Sequence, residues 1–197
     1  MKHICILTKI YINSIIFTVE TLCTMLGRRK VQMFNFFKKK DSEAKDTGIM
    51  IGAPVAGKVV PLSEVSDATF SGELLGKGVA VIPSEGKIYA PADGTLEMVF
   101  DTLHAFTMTT TEGAEILVHI GLDTVELKGE HFTAHKAAGD AVKKGDLLIT
   151  VDFDAVKAAG YDVVTPMIIC NTDSYADVES LAGKEAAAGE DVLRLVK

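Results

Sequence analysis

From Ile49 to the C-terminus, apolar and polar residues alternate in short runs, and glycine or proline punctuates most gaps. Alternation of this kind predicts strands with one face in a core and one in water. The predicted strands are 55–60, 79–82, 87–89, 95–99, 147–151 and 163–169, with two more beside His104 and His119. Their length and the density of turn residues fit an all-β, antiparallel sandwich or barrel. Helical periodicity is scarce. One short helix is predicted over 153–159, capped by Asp152 or Asp154. A shorter one is predicted over 177–182, with Asp177 at its start.

An internal echo refines this picture. Ala53-Pro54-Val55-Ala56-Gly57 recurs as Ala90-Pro91-Ala92-Asp93-Gly94, and each segment leads into a strand. Gly139 to Leu148 reads as a tight turn between strands. The expected fold is a sandwich/barrel hybrid built from a duplicated half-barrel, with one or two short helices. A domain the size of residues 49–197 buries roughly 68–70% of its unfolded surface, so it needs no metal or disulfide to fold.

Residues 1–32 differ in character. They hold five basic residues (Lys2, Lys9, Arg28, Arg29, Lys30) against one acid, Glu20. Lys9, Asn13, Ser14 and Glu20 interrupt the apolar run, which makes a poor membrane span, and no small-x-small cleavage site follows it. The segment is expected to be a mis-called extension ahead of a start at Met33, or else a poorly structured segment. N-terminal sequencing of the native protein distinguishes the two. Residues 33–48 read as a tail and linker. Met33 to Lys40 places aromatics beside lysines, which suits at most a peripheral contact with an anionic membrane surface.

The net charge of −7 excludes most nucleic-acid roles, because no basic stripe is available to displace counterions. It suits a basic protein partner. Three cysteines at irregular spacing make no disulfide framework, so a reducing cytoplasm is expected.

The chemistry lies with two histidines. In 115–120, Ile116, Val118 and Ile120 share one face, while Glu115, Leu117 and His119 share the other. His104 precedes a second strand, and Thr111-Glu112-Gly113 reads as the turn between the two. An antiparallel hairpin can therefore set His104 beside His119. Two neutral imidazoles that close can attract phosphate or a metal.

These residues resemble the glucose-type enzyme IIA component of the bacterial phosphoenolpyruvate-dependent sugar phosphotransferase system. The likeness covers roughly Met33 to the C-terminus. It is most specific at Leu103-His104-Ala105-Phe106 and from Val118 to Gly129, with support at 90–94 and 142–146. The resemblance implies a phosphotransferase in which His119 carries the phosphoryl group on Nε2. His104 stabilises that group, and Thr102 supports His104. It also implies an apolar depression for protein partners at Phe70, Phe100, Phe106 and Leu117. Asp123 could orient a basic partner or repel an incoming phosphoryl group. Leu117 is smaller than the aromatic often found there. The implied partners are the histidine-containing phosphocarrier protein, which donates, and the IIB cysteine of a IIB/IIC sugar permease, which accepts. The implied location is cytoplasmic. No cofactor is required, although His104 and His119 could bind zinc within a partner complex. The sugar is not legible. The alternative is a regulatory module that docks on transporters or kinases without carrying phosphate.

Other chemistries fit less well. A zinc metallopeptidase wants a His-x-His pair and an upstream His-x-x-x-Asp, and the chain has Met108 four residues after His104. His131 and His135 have metal-ligand spacing only on a helix, which their glycine-rich β context argues against. A lipoyl carrier would need a lysine at a hairpin tip.

Overall fold

The computed structural model describes residues 48–197, so the expectations for 1–32 and for the tail and linker up to 47 lie outside it. Fourteen strands follow in order: β1 (Ile49–Gly52), β2 (Gly57–Pro61), β3 (Lys77–Pro83), β4 (Lys87–Tyr89), β5 (Gly94–Val99), β6 (Ala105–Thr110), β7 (Glu115–His119), β8 (Phe132–Ala134), β9 (Ala141–Val142), β10 (Leu147–Val151), β11 (Thr165–Ile169), β12 (Asp177–Ser180), β13 (Glu185–Ala186) and β14 (Asp191–Val196). Two short helices, α1 (Ala68–Ser71) and α2 (Phe153–Ala158), accompany them. Asp152 caps α2, accepting the Ala155 amide at 3.0 Å.

One predicted element changes type. Residues 177–180 form β12, not a helix, because β14 offers an antiparallel partner and Val178 turns into the core. Tertiary pairing overrides a local helix signal here. Asp177 caps nothing helical; it pairs with Lys77 at 2.9 Å.

The strands form three antiparallel sheets, ordered β13-β2-β3-β11-β7-β6-β5-β9, β1-β14-β12 and β4-β10-β8. One core joins them, with Ile51 and Leu193 from one sheet, Ile88 and Ile149 from another, and Val81, Phe106 and Met167 from the large one. The large sheet reads as a palindrome if β2 and β3 match β5 and β6, and β7 matches β11. Backbone hydrogen bonds bear out this duplication, because they occur in matched pairs. Gly52 donates to Pro91 at 2.9 Å, and Tyr89 donates to Pro54 at 2.7 Å. Gly189 donates to Ala53 at 2.8 Å, and Gly145 to Ala90 at 2.9 Å. Gly183 donates to Val59 at 2.9 Å, and Gly139 to Leu96 at 2.7 Å. The echoed Ala-Pro segments are thus the crossing points of two similar halves. Gly57 and Gly94 end them because a Cβ at either would run into a facing carbonyl, that of Ile82 or Thr109.

The halves differ where β2 and β5 end. After β2 the chain runs from 62 to 76 before β3; after β5 it needs only 100 to 104 before β6. The longer connection carries Leu62, Val65 and Phe70, all buried outside the main core. The outer face of the large sheet holds Val60, Ala80, Leu117 and Ile168, also buried outside that core. The connection therefore forms a second apolar layer over this face.

Candidate functional site

β6 and β7 form the expected hairpin, turning at Gly113, whose φ is +88°. The register sets Ala105 opposite His119. His104 therefore lies at the strand's mouth, and Ile120 N–H donates to its carbonyl at 2.7 Å. The two imidazole centroids are 5.0 Å apart, edge to face at 74°.

His119 has a defined tautomer. Its Nδ1 lies 2.7 Å from the Gly121 carbonyl, which can only accept, so Nδ1 carries the proton and Nε2 keeps its lone pair. The turn behind it is bolted down. Leu122 N–H donates to the Asp162 carbonyl at 2.9 Å, and Thr124 Oγ1 donates to the Ile120 carbonyl at 2.6 Å. Gly121 sits at φ +76°, and a Cβ there would meet Thr124 Cγ2 at 2.5 Å and the Asp162 carbonyl at 2.7 Å. Gly121→Ala is expected to cost about 2 kcal/mol in urea unfolding and to disturb the His119 anchor. A variant as stable as the wild type would show that the turn tolerates a side chain.

His104 is 1% exposed. Its Nδ1 lies 2.5 Å from Thr102 Oγ1, and its Nε2 is buried with no hydrogen-bond partner among the described residues. The threonine hydroxyl can rotate to donate to Nδ1, which leaves the proton on Nε2. A buried donor without an acceptor costs about 1–3 kcal/mol, and such a group marks a place where an acceptor is expected to arrive. Leu103 supports the geometry from an uncommon left-handed conformation, φ +56°, closing the tight turn from Phe100.

Both rings are neutral at pH 7. Burial lowers the pKa of His119, although the Gly121 carbonyl, Asp67 and Asp123 pull the other way. Burial pushes His104 from 6.5 down to about 3, and the neighbouring His119 adds to that. In the unfolded chain these imidazoles protonate near 6.5, so from there down to about 3 the unfolded state binds more protons. Stability is expected to decline as pH falls through that window. His104→Gln should flatten the decline in urea midpoints; an unchanged slope would assign it to other groups.

Aromatic rings wall the pair. Phe70 lies 5.3 Å from His119, tilted 58°, and Phe100 lies 5.2 Å from His104, edge-on at 60°. Of the residues expected at a docking depression, only Phe100 and Asp123 are accessible. Phe106 requires correction. It pairs with Val118 and points into the main core, wholly buried, because strand alternation puts Ala105 and Thr107 on the His119 face instead. Leu117 does share the His119 face, but it is 2% exposed under the second apolar layer rather than on a rim. Phe70 is also buried, at 5%. Asp123 opens the 3-10 turn Thr124–Leu127 in a left-handed conformation.

Asp67 escaped sequence reading. It caps α1, accepting the Thr69 amide at 2.7 Å, and its charge acts on His119. An aspartate two residues before a threonine was a usable cap signal, but α1 has too few residues to show periodicity. His131 and His135 do not converge: β8 separates them, and His135 Nε2 meets Thr150 Oγ1 at 2.7 Å. Among the described residues, no three His, Cys, Asp or Glu side chains gather as a metal site.

Known proteins resemble this chain in sequence and fold. The family described as "phosphoenolpyruvate-dependent sugar phosphotransferase system, EIIA 1" matches residues 49–175. The glucose-specific EIIA component of Oceanobacillus iheyensis is 44% identical over 157 residues, 80% of this chain and 94% of that protein. The beta-glucoside-specific EIIBCA component of Dickeya chrysanthemi is 44% identical over 144 residues, 73% of this chain but only 23% of that longer protein. Among solved structures, glucose permease IIA from Mycoplasma capricolum superposes with a TM-score of 0.70 at 34% identity, covering 82% of this chain and 99% of that one. The chain belongs to the glucose-type EIIA family of the phosphoenolpyruvate-dependent sugar phosphotransferase system.

Proposed function

We propose that His119 accepts a phosphoryl group on Nε2 from the histidine-containing phosphocarrier protein and hands it to the IIB cysteine of a sugar permease. The observation that carries this is the pairing of a nucleophilic Nε2 on His119, fixed by Gly121, with an unpartnered, buried Nε2 on His104. In the first step the Nε2 lone pair forms a bond to phosphorus. The donor's N–P bond breaks, and its electron pair stays on the donor ring. The Nδ1 proton does not move; the ring becomes cationic, and the Gly121 carbonyl dipole stabilises that charge through its hydrogen bond to Nδ1–H. His104 Nε2–H donates to a phosphoryl oxygen, with Thr102 fixing its tautomer. In the second step a thiolate bonds to phosphorus, and the N–P electron pair returns to Nε2.

Phe100 and Asp123 supply accessible apolar and acidic contacts, which suits a basic, partly apolar partner face. Sugar choice would then reside in the permease. No cofactor is needed. A zinc ion held by His104 and His119 would need the His104 proton on Nδ1, with Thr102 Oγ1 accepting it, and would draw its remaining ligands from a partner, since two imidazoles half-fill a tetrahedral site. Residues 49–197 would act as one carrier domain in the cytoplasm, with at most a peripheral membrane contact through 33–40. Among the described residues no helix is long and apolar enough to cross a membrane.

The test is phosphoryl transfer from phosphoenolpyruvate through the purified general proteins. Wild type is expected to take up one acid-labile, base-stable phosphoryl group. A chain that stays unlabelled would overturn the reading and favour a regulatory docking role.

A further inference from the structure

Phe70 was expected among docking residues, yet it is 5% exposed and its ring lies against His119. A partner has almost none of it to touch. The local backbone nonetheless goes to some length to place it. α1 is far too short to persist alone, and it is held by its own connections. The Asp67 carboxylate accepts from Thr69 N–H at 2.7 Å. The Asp67 carbonyl accepts from Ser71 N–H at 2.9 Å and from Ser71 Oγ at 2.9 Å. The Phe70 carbonyl accepts from Glu73 N–H at 3.0 Å. The product of these bonds is one buried aromatic set against one histidine.

Among the described residues the imidazole of His119 is bordered on more than one side. Gly121 holds Nδ1, His104 stands edge to face, and Phe70 fills a third flank at 5.3 Å. The first contact fixes a hydrogen-bond direction but leaves the ring free to rock about it. A bulky wall removes that freedom and occupies space that water would otherwise take.

We infer that Phe70 is a positioning residue: it locks the His119 ring in its transfer orientation and shields the phosphorylated ring from water. This rests on His119 being the carrier. The loss it limits is hydrolysis, in which a water oxygen bonds to phosphorus, the N–P pair returns to Nε2, and inorganic phosphate leaves. The charged groups that act on His119, namely Asp67, Asp123 and, when protonated, His104, belong to other residues and remain when Phe70 is changed.

The experiment compares Phe70→Leu and Phe70→Ala with wild type in the full chain, with folding checked by thermal melting. Three quantities are read: the His119 titration by nitrogen NMR without phosphate, the half-life of the isolated phosphoprotein, and the split between kcat and KM for the phosphoryl donor. The expected result is a His119 titration that moves up toward the ordinary value and a phosphoprotein half-life at least about threefold shorter. The kcat for transfer falls while the donor KM is steady. Effects should be smaller for Leu than for Ala. A raised KM with unchanged titration and half-life would make Phe70 a docking residue and overturn the inference. If Phe70→Ala does not fold, Phe70→Leu decides alone. If wild type takes no phosphate, the carrier reading fails instead, while an unmoved titration in Phe70→Leu would still refute the ring lock.

Discussion

His119→Gln is expected to take up no phosphoryl group, while His104→Gln is expected to take it up and fail to pass it on. Glutamine offers no basic ring nitrogen, so removing Nε2 of His119 removes the bond-forming lone pair outright. His104 forms no bond to phosphorus. Its buried Nε2 has no acceptor among the described residues, which under the proposed mechanism leaves it ready to donate to charge that develops later. Transfer between two histidines keeps a neutral leaving group and a neutral attacker. Transfer to a thiolate brings an anion against an anionic phosphoryl group, and there the extra donor matters most. Removing one preorganised donor of this kind slows a reaction by about 10²–10³. Rapid-quench assays with labelled phosphoenolpyruvate, with and without a IIB domain, separate the two steps. Onward transfer at the wild-type rate in His104→Gln would remove that residue from the mechanism. Label on His119→Gln would move the acceptor elsewhere.

The second large effect is structural. Phe106→Ala should lower unfolding free energy by about 3–5 kcal/mol, the usual loss for a fully buried aromatic. Phe106 has no exposed surface and packs within the cluster that joins all three sheets. Phe100→Ala should barely change stability but raise KM for both partners, because Phe100 is partly accessible beside His104. Urea unfolding together with transfer kinetics tests both. If Phe106→Ala were stable and weakened docking, the assignment of faces along β6 would be wrong.

Period-2 alternation put Ile116 and Val118 in the core and His119 on the other face, and the structure agrees. The Thr111 to Gly113 turn set the pairing of the two histidine strands. The same rule, applied to Ala105 and Phe106, sends Phe106 inward, against the docking position that the resemblance implies. Leu117 and Phe70 are buried, against expectation, for another reason. Their burial depends on the 62–76 connection folding over the sheet, a long-range event that no local pattern reports. The helix expected at 177–182 failed because β14 supplied a partner strand. A glycine two residues past a strand histidine lets the chain turn back, and the Gly121 carbonyl uses that turn to hold His119 Nδ1. Asp67 was hidden in a segment too short for periodicity.

The matched hydrogen bonds across the Ala-Pro crossings have a consequence for how such a site arises. A symmetric frame offers the same connection twice, and here the two copies have taken different jobs. The short copy after β5 brings Thr102 and His104; the long copy after β2 brings Asp67 and Phe70. Both end at the same imidazole. Under the proposed mechanism one repeat carries the reactive pair and the other its shelter, on loops that differ in length while the shared scaffold does not. Neither repeat by itself holds a whole site, so the working unit is the fused pair.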